Sequence, residues 1–380
     1  MLVQIKDICS FVCSGGTPSK KHPEYYAGGT IPWLNTSEIQ FNRIYSTEHF
    51  ISDLGLSYSS AKWVPKNAVI VAMYGATAAR VAISKIPLTT NQACCNLVID
   101  PQKADYRFVY YWLLSKYSQL AYLANGGAQQ NLNAGQIKDF PIEIPSLNKQ
   151  KIIADLLSVL DDKIELNNRI NENLANQIQA IYSNEYDPVS HFPNGILSDI
   201  CVYSSARIAV SDLSLSSYFS TENMLPNKAG AVDAANLPSV SQTTKCHKGD
   251  VLVSNIRPYF KKIVYVTEEC GCSTDVLCFT PKKEIYSPFL FSTLYTDRFF
   301  DYMVAGAKGT KMPRGDKKQI MNYPFVIPPM ESLGKFNRVV APMLEQIASN
   351  RKENKILATV RDTLLPKLMS GEVDVSEVEL

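Results

Sequence analysis

The chain has 380 residues, of which 46% are hydrophobic and 10% aromatic, and its formal net charge is +2. This length and composition predict two domains with packed cores and exclude wholesale disorder. Residues 1–146 and 187–330 carry +3 and +2, whereas residues 147–186 and 331–380 carry −2 and −1, so charge permits a polyanionic partner without demanding one.

The start of the chain predicts neither a secretory leader nor a membrane anchor. Residues 2–7 resemble the beginning of a strand, and no apolar run is long enough to span a bilayer. We therefore expect a cytoplasmic protein. The nine cysteines form no CxxC pair and the four histidines are dispersed, which predicts buried thiols and no metal site.

Short β-branched runs at residues 69–73 and 96–99 predict strands in the first half of the chain. A helical stretch follows at about residues 106–124, and then a proline-bounded strand at 141–145. Residues 149–186 contain neither proline nor glycine, and their apolar residues recur every three or four positions. This spacing predicts one long helix, which Asp187-Pro188 should end.

The second half has the same order of elements. Runs at 251–253 and 262–266 predict strands, residues from about 288 to 304 predict a helix, and residues 333–368 predict a second long helix. Pro342 should kink that helix or begin it. Each long helix outruns a single small domain, so we expect the two to pack on each other as a strut of roughly 50 Å.

An internal repeat with a period of about 183 residues explains this similarity. The segment that begins at Gly126 and ends at Pro145 matches the segment from Gly309 to Pro328, with glycine, isoleucine and both prolines in register. The repeat predicts an α+β protein with two similar globular domains at 1–146 and 187–330. It also predicts a central helix at 147–186 and a C-terminal helix with its tail at 331–380.

Catalytic signatures are missing from the sequence. It has no Walker loop, no glycine-rich dinucleotide loop after a strand, and no Asn-Pro-Pro-aromatic motif of an amino methyltransferase. Cys246 and His247 are adjacent, which points their side chains apart on a strand. These absences favour a binding protein over an enzyme.

Several motifs together resemble the specificity subunit of type I restriction-modification systems. The opening Gly-Gly-Thr-Pro-Ser at 15–19 with Ile-Pro-Trp-Leu-Asn at 31–35 is similar to the start of that family's target recognition domain. The end of that domain and the spacer helix that follows it are similar to residues 126–132, 141–145 and 160–165. The family's C-terminal ending is similar to residues 364–372. The second half lacks the Gly-Gly-Thr-Pro opening and the Pro-Trp pair, which fits two domains that read different sequences.

This resemblance implies two target recognition domains in a pseudo-twofold arrangement, joined by two long antiparallel helices. It implies a non-catalytic subunit that directs a type I complex to a bipartite, asymmetric site in double-stranded DNA. The expected partners are two modification subunits, which methylate adenine, and restriction subunits that translocate and cut. S-adenosylmethionine, ATP and Mg²⁺ are expected only in those partners.

Base reading favours side chains that present two hydrogen-bonding groups, and phosphate gripping favours cations. In the first domain the predicted DNA-binding residues are Lys20, Lys21, Asn35, Tyr74, Thr77, Arg80, Gln129, Gln130 and Asn131. In the second domain they are Asn255, Arg257, Tyr259, Lys261, Lys262, Lys308, Lys311 and Arg314.

Two other classes of protein stay open at this point. The chain could be an adaptor or antagonist that binds protein through its helices without reading DNA, or, less in keeping with its motifs, a self-contained enzyme. In either the adaptor or the specificity-subunit interpretation, the partner-binding residues predicted on the helices are Leu156, Leu160, Ile164, Leu174, Ile347 and Leu357.

Overall fold

The computed structural model describes residues 1–124, 131–186 and 192–375. They form two compact units. Unit 1 comprises Met1–Ile164 together with the chain from Lys355 onward, and unit 2 comprises Glu165–Asn354. These limits differ from the predicted domain boundaries because each long helix contributes one part of its length to each unit.

Unit 1 contains a five-stranded sheet in the order β2-β9-β6-β7-β4, a three-stranded sheet in the order β5-β3-β8, and the pair β1-β10. Its elements, in chain order, are β1 (Leu2–Gln4), β2 (Cys9–Ser14), β3 (Ile31–Leu34), β4 (Asn42–Ile44), β5 (His49–Ile51), α1 (Asp53–Ser57), β6 (Val69–Ala72), β7 (Val81–Ser84), β8 (Thr89–Thr90), β9 (Cys94–Ile99), α2 (Tyr106–Ser115), α3 (Tyr117–Ala124), α4 (Ala134–Lys138), β10 (Pro141–Glu143) and the first part of α5 (Leu147–Tyr186).

The core of unit 1 is built on both faces of β6. Val69 and Val71 pack with α2 and the long helices in one apolar cluster, and Ile70 and Ala72 pack in a second cluster on the other face. A central strand that is buried on both sides needs a continuous apolar run, which explains why this segment was recognisable in the sequence.

Unit 2 contains two four-stranded sheets, in the orders β12-β19-β16-β17 and β13-β15-β18-β14, and the pair β11-β20. Its elements, in chain order, are β11 (Gly195–Ile196), α6 (Leu197–Ile200), β12 (Cys201–Tyr203), β13 (Arg207–Ala209), β14 (Tyr218–Phe219), β15 (Gln242–Cys246), β16 (Val251–Ser254), β17 (Ile263–Tyr265), β18 (Cys270–Cys272), β19 (Val276–Pro281), α7 (Ser287–Leu294), α8 (Asp297–Ala305), α9 (Lys317–Met321), β20 (Pro324–Phe325) and the first part of α10 (Met330–Ser370).

The core of unit 2 repeats the plan of unit 1. Val251 and Val253 of β16 face the cluster that contains α7 and α8, and Leu252 faces a cysteine-rich cluster on the other side of the sheet. The predicted helices at 106–124 and 288–304 are each two helices in the structure, α2 with α3 and α7 with α8. The predicted duplication is thus visible in the order of elements and in the core.

The chain start differs from its prediction in one respect. Only Leu2–Gln4 is a strand, and Ile5–Ile8 is a turn of 3-10 helix. The Asp7 carboxylate accepts a hydrogen bond from the backbone N–H of Gln4 at 2.9 Å, and Asp199 accepts one from Ile196 at 2.8 Å at the matching position of unit 2. These carboxylates turn the chain because they satisfy an N–H group that a strand would have paired.

The two long helices are confirmed, with α5 at Leu147–Tyr186 and α10 at Met330–Ser370. The second begins before Pro342 and continues through it, so the expectation that this proline begins the helix is wrong. Asp187 and Pro188, predicted to end the first helix, lie outside the described residues.

Within each unit the two helices pack side by side. In unit 1, Arg361 of α10 pairs with Asp161 of α5 at 2.8 Å. In unit 2, the Asn167 Nδ2 atom donates to Asn354 Oδ1 at 2.9 Å, and the Asn350 Nδ2 atom donates to Asn171 Oδ1 at 2.8 Å. Residue numbers rise along α5 as they fall along α10 in these pairs, so the helices are antiparallel in both units, as predicted.

The α+β class and the two similar domains with long antiparallel helices are confirmed. The pseudo-twofold arrangement of the domains stays a prediction. Along the described ranges, no helix combines the length and the apolar character needed to cross a bilayer.

Candidate nucleic-acid interface

The turn after β6 brings together three of the predicted DNA-binding residues of unit 1. Tyr74 is 42% exposed and forms an isolated antiparallel bridge with Asn131. The Thr77 hydroxyl donates to the Tyr74 carbonyl oxygen at 3.2 Å. The turn depends on Gly75, whose φ of +67° is unfavourable for other residues. The result is an exposed cluster of one phenol, one hydroxyl and one amide.

Arg80, at the end of that turn, is partly buried, and its guanidinium donates to the side-chain oxygen of Gln40. Its hydrogen-bonding groups are therefore partly committed within the protein. Gln129 and Gln130 lie outside the described residues.

Lys20 and Asn35 form a second group in unit 1, lining a cavity of about 430 Å³ with Trp33 and His49. The Asn35 Oδ1 atom accepts a hydrogen bond from Asn91 Nδ2 at 3.2 Å, and the Asn35 backbone N–H donates to Glu38 at 3.0 Å. Asn35 therefore already helps to hold the loop that it begins. Lys21, the next residue after Lys20, is exposed.

The Gly-Gly-Thr-Pro-Ser motif has a structural role in this conformation. A Cβ atom on Gly16 would lie 2.3 Å from Ser60 Oγ, so only glycine fits there. The Trp33 indole N–H donates to the Gly16 carbonyl oxygen at 2.9 Å, and Trp33 is only 6% exposed. The Tyr26 hydroxyl donates to the Pro18 carbonyl oxygen at 2.5 Å. These contacts fix the loop, and Trp33 serves as scaffold.

The loop after β16 occupies the matching place in unit 2. Ile256 forms an antiparallel bridge with Arg314, and the Arg257 backbone N–H donates to the Pro313 carbonyl oxygen at 2.8 Å. Allowing for the repeat, Ile256 corresponds to Tyr74 and Arg314 to Asn131. Both units therefore join the loop after their central strand to the loop that follows the helix pair.

Asn255 is the exception among the predicted residues of this loop. It is only 6% exposed, and its Oδ1 atom has no hydrogen-bond partner among the described residues. The Asn255 backbone pairs with Asp275 and Gly315, which draws the side chain inside, and its role in DNA binding stays a prediction.

Most of the predicted cations of unit 2 have partners within the protein. Lys261 pairs with Asp297 at 2.8 Å, and Arg314 pairs with Asp275 at 3.0 Å. Lys308 pairs with Asp316 at 2.9 Å, and this hydrogen bond, with two backbone N–H donors, lowers the pKa of Asp316 to about 2. These ion pairs orient the cations but compete with phosphate for them.

Lys262 is more deeply held than the others. Its ammonium donates to the Thr221 carbonyl oxygen at 2.5 Å, and burial lowers its pKa below the ordinary value. Lys311 is exposed and has no ion pair among the residues that the structure describes. Lys311 is therefore more available to a polyanion than Lys262.

An aromatic pair at this loop was only half predicted. Tyr259 is 48% exposed, and its ring lies 4.8 Å from that of Phe260, which is 38% exposed. Phe260 was missed because an isolated phenylalanine usually indicates a core residue.

Lys228 was not predicted either. Its ammonium pairs with Asp297 at 2.8 Å, and Lys261 pairs with the same carboxylate. The sequence feature that could have indicated Lys228 is the Pro-Asn-Lys turn at 226–228, in which Asn227 and Lys228 both have positive φ.

The predicted partner-binding residues on the helices are buried or partly buried. Ile347 is 7% exposed and packs in the core of unit 2, and its role in partner binding stays a prediction. Leu156 packs against the core of unit 1 and Leu174 against that of unit 2, and Leu160, Ile164 and Leu357 are partly buried. The exposed apolar residues on these helices include Val159, Leu166, Ile170, Ile356 and Val360.

The comparisons with known proteins agree on one family. Residues 1–176 match the model described as the type I restriction modification DNA specificity domain. The type I restriction enzyme MjaIX specificity subunit of Methanocaldococcus jannaschii is 26% identical over 99% of this chain and 94% of its own length. The EcoR124I/EcoR124II specificity subunit of Escherichia coli is 28% identical over 43% of this chain and 41% of its own length.

A solved structure shows the same fold. The type I restriction-modification S subunit from M. genitalium has a TM-score of 0.59 at 19% identity, over 97% of this chain and 95% of its own. The chain is a two-module protein whose first module matches the DNA specificity domain model. Over nearly its whole length it is similar to a specificity subunit of a type I restriction enzyme, and the matching family model covers its first module. Within the described ranges, no group of three or more His, Cys, Asp or Glu side chains is arranged to hold a metal ion.

Proposed function

We propose that this chain directs a type I methyltransferase and restriction complex to a bipartite site in double-stranded DNA, with each unit reading one half-site. One observation supports this most. The bridge between Tyr74 and Asn131 in unit 1 recurs as the bridge between Ile256 and Arg314 in unit 2. Two copies of one loop pair, each with exposed polar side chains, suit two separate contacts with one duplex.

The two loop pairs differ in chemistry, which supports different half-sites. Unit 1 presents Tyr74, Thr77 and Asn131, and an asparagine amide can pair with both hydrogen-bonding groups of adenine. Unit 2 presents Arg257 and Lys311, and arginine or lysine suits guanine or a phosphate.

The names of the relatives support the choice of partners. They are specificity subunits of type I restriction enzymes, and we propose that this chain also joins modification and restriction subunits. Two modification subunits per chain would match the two units. In this proposal S-adenosylmethionine, ATP and Mg²⁺ act in the partner subunits. The cytoplasmic location stays a prediction.

The test is methylome mapping in cells that carry the complete modification complex with single variants of this chain. Tyr74→Ala should relax or abolish recognition of one half-site only, and Arg257→Ala should do so for the other half-site only. Arg338→Gln, an exposed change on α10, is the control and should leave both intact.

Two results would contradict the proposal. Methylation that is unchanged in cells without this chain would favour an adaptor that does not read DNA. Loss of the same half-site with both variants would contradict one half-site per unit.

A further inference from the structure

Unit 2 contains a cavity of about 510 Å³ whose lining includes none of the residues predicted to read DNA. Helix α5 contributes Asn171, α10 contributes Arg351, α7 and the residue after it contribute Phe291 and Tyr295, and the turn at 226–228 contributes Asn227. This volume lies within the range of small-molecule sites, roughly 300–1,000 Å³.

Arg351 is the unusual residue of this cavity. Among the described residues its guanidinium has no hydrogen-bond or ion-pair partner, although it is partly buried. Burial lowers the pKa of Arg351 below its ordinary value, and the side chain still carries its charge because arginine does not deprotonate in proteins. A partly buried cation without a counter-ion is costly unless an anion offsets it.

The backbone makes room for this guanidinium at Gly230. The φ of Gly230 is +91°, and a Cβ atom there would lie 2.8 Å from the Arg351 Cζ atom. Any other residue at 230 would therefore push the guanidinium away. The position of Arg351 thus depends on a specific feature of the loop opposite, and not on chance exposure.

The remaining charges around the cavity do not neutralise Arg351. Lys228 lines it too, with its ammonium 2.8 Å from Asp297 and 4.8 Å from the centre of the Tyr295 ring. Asp297 is shared with Lys261, so one carboxylate faces two ammonium groups. Glu172 is the carboxylate among the lining residues, and within the described part of the chain no ion pair joins it to Arg351.

The cavity also has an apolar wall. The rings of Tyr265 and Phe291 lie 5.4 Å apart, and those of Phe291 and Tyr295 lie 5.2 Å apart. Three adjoining aromatic rings offer a surface to a planar or aliphatic group, while asparagine amides offer donors and acceptors beside it.

Unit 1 is built differently at the corresponding edge of its sheet. There β4 pairs with β7, and Arg43 of β4 forms an ion pair with Asp162 of α5. In unit 2 the sheet ends at β17, the counterpart of β7, and the cavity begins at Tyr265 of that strand. The cation of unit 1 has its carboxylate within the protein, whereas Arg351 does not.

We propose that this cavity binds a small organic anion, with its phosphate or carboxylate on the Arg351 guanidinium and its apolar part against the Tyr265–Phe291–Tyr295 wall. The planar guanidinium can donate two parallel hydrogen bonds to either kind of anion. The anion would supply the counter-charge that the described residues lack.

The test is isothermal titration of the full chain, together with its modification subunits, against three probes: inorganic phosphate, adenosine monophosphate and succinate. We expect saturable binding of at least one probe, and the three arms distinguish phosphate from carboxylate and show whether a ring adds affinity. Arg351→Gln should weaken that binding by about tenfold or more, because a hydrogen-bonded charge is lost. Arg351→Lys should keep part of it, and Arg338→Gln should change nothing.

A second variant tests the geometry without removing the charge. Gly230→Ala keeps the Arg351 charge but displaces the guanidinium, so it should also weaken binding. Because the φ of residue 230 is +91°, thermal unfolding of this variant is compared with that of wild type to separate the effect from misfolding. The proposal is overturned if the wild-type chain binds none of the probes at millimolar concentration, or if Arg351→Gln binds as tightly as wild type. Weaker DNA binding by Arg351→Gln without any binding of the small anions would also overturn it and would make Arg351 a DNA phosphate contact.

Discussion

The Arg257 guanidinium lies against the carbonyl oxygen of Lys311, with its Nη2 atom 3.3 Å and its Nε atom 3.4 Å from that oxygen. These distances are long for hydrogen bonds, so the contact positions the side chain without holding it strongly. The Arg257 backbone is also left-handed, with φ +49°. A loosely held, pre-positioned guanidinium is well suited to exchange a carbonyl oxygen for a guanine edge.

Arg257→Ala should weaken binding to the cognate site by about 1–3 kcal/mol and relax one base of one half-site. Arg257→Gly removes the same side chain but suits the left-handed backbone. If both variants lose affinity equally, the guanidinium is responsible. If only Arg257→Ala loses affinity, backbone strain is the cause and Arg257 is not a reader. Gel-shift titration of the complex against sites changed one base pair at a time measures both.

Lys311→Ala should make DNA binding less sensitive to salt. An exposed lysine that contacts one phosphate contributes about −0.9 to the slope of log affinity against log salt. Lys335→Ala, an exposed change on α10, is the matched control and should leave the slope unchanged. An unchanged slope in Lys311→Ala would mean that Lys311 touches no phosphate.

Asp250 should make unit 2 less stable as the pH rises. It is 1% exposed, and burial with the nearby Cys278 thiol raises its pKa from 3.8 to about 7. The folded state therefore favours the protonated acid. The stability from this group is fully present below the unfolded pKa and is lost as pH rises towards the folded pKa, by up to a few kcal/mol.

Chemical unfolding of wild type and Asp250→Asn at several pH values tests this. The variant keeps a side-chain oxygen for the backbone N–H of His247, which donates to Asp250 at 2.8 Å, but cannot ionise. Its free energy of unfolding should exceed that of wild type near neutral pH and approach it in acid. A constant difference across the pH range would show that Asp250 does not titrate in this window.

Matched insertions in the two long helices should lengthen the DNA spacer without changing the half-sites. We consider four residues inserted after Leu166 in α5 and four inserted before Ile356 in α10. These insertions keep the contact between Asp161 and Arg361 and the contact between Asn167 and Asn354. Four helical residues add about 6 Å, which is close to two base pairs. Methylome mapping measures the spacer length directly. The insertion in α5 alone is the control, and it should impair the complex because it shifts the contacts between the two helices out of register. An unchanged spacer with the double insertion would contradict the role of the helices.

Two isoleucines of α10 should separate folding from partner binding. Ile347 is 7% exposed and Ile356 is 64% exposed. Ile347→Ala should lower the free energy of unfolding by about 2–5 kcal/mol because it leaves a cavity. Ile356→Ala should change it by less than about 0.5 kcal/mol but reduce co-purification with the modification subunit. Normal recovery of that subunit with Ile356→Ala would remove this position from the partner surface.

The long helices and the central strands were predictable because their signals are local. Residues 149–186 carry an apolar stripe at helical spacing, and the runs around Val69 and Val251 are continuous because both faces of those strands are buried. The short strands β3, β5 and β13 were not predicted, because strands of three or four residues are too short to carry a periodic signal.

The candidate site was predicted in part. The loops at Tyr74 and Arg257 were found because each follows a recognisable strand. The burial of Asn255 and the ion pairs of Lys261, Lys308 and Arg314 were not found, because their partners are set by contacts that the local sequence does not encode. Arg351 had no signal beyond its charge.

The duplication, the order of elements and the two long helices could be predicted, since repeats and hydrophobic periodicity follow from residues near one another along the chain. Which loops meet and which side chains stay exposed could not be predicted in this way. Tyr74 reaches Asn131 and Arg351 reaches Gly230 because packed strands and helices bring distant segments together. Whether a cation meets a carboxylate or a cavity depends on that packing, and therefore on the whole fold.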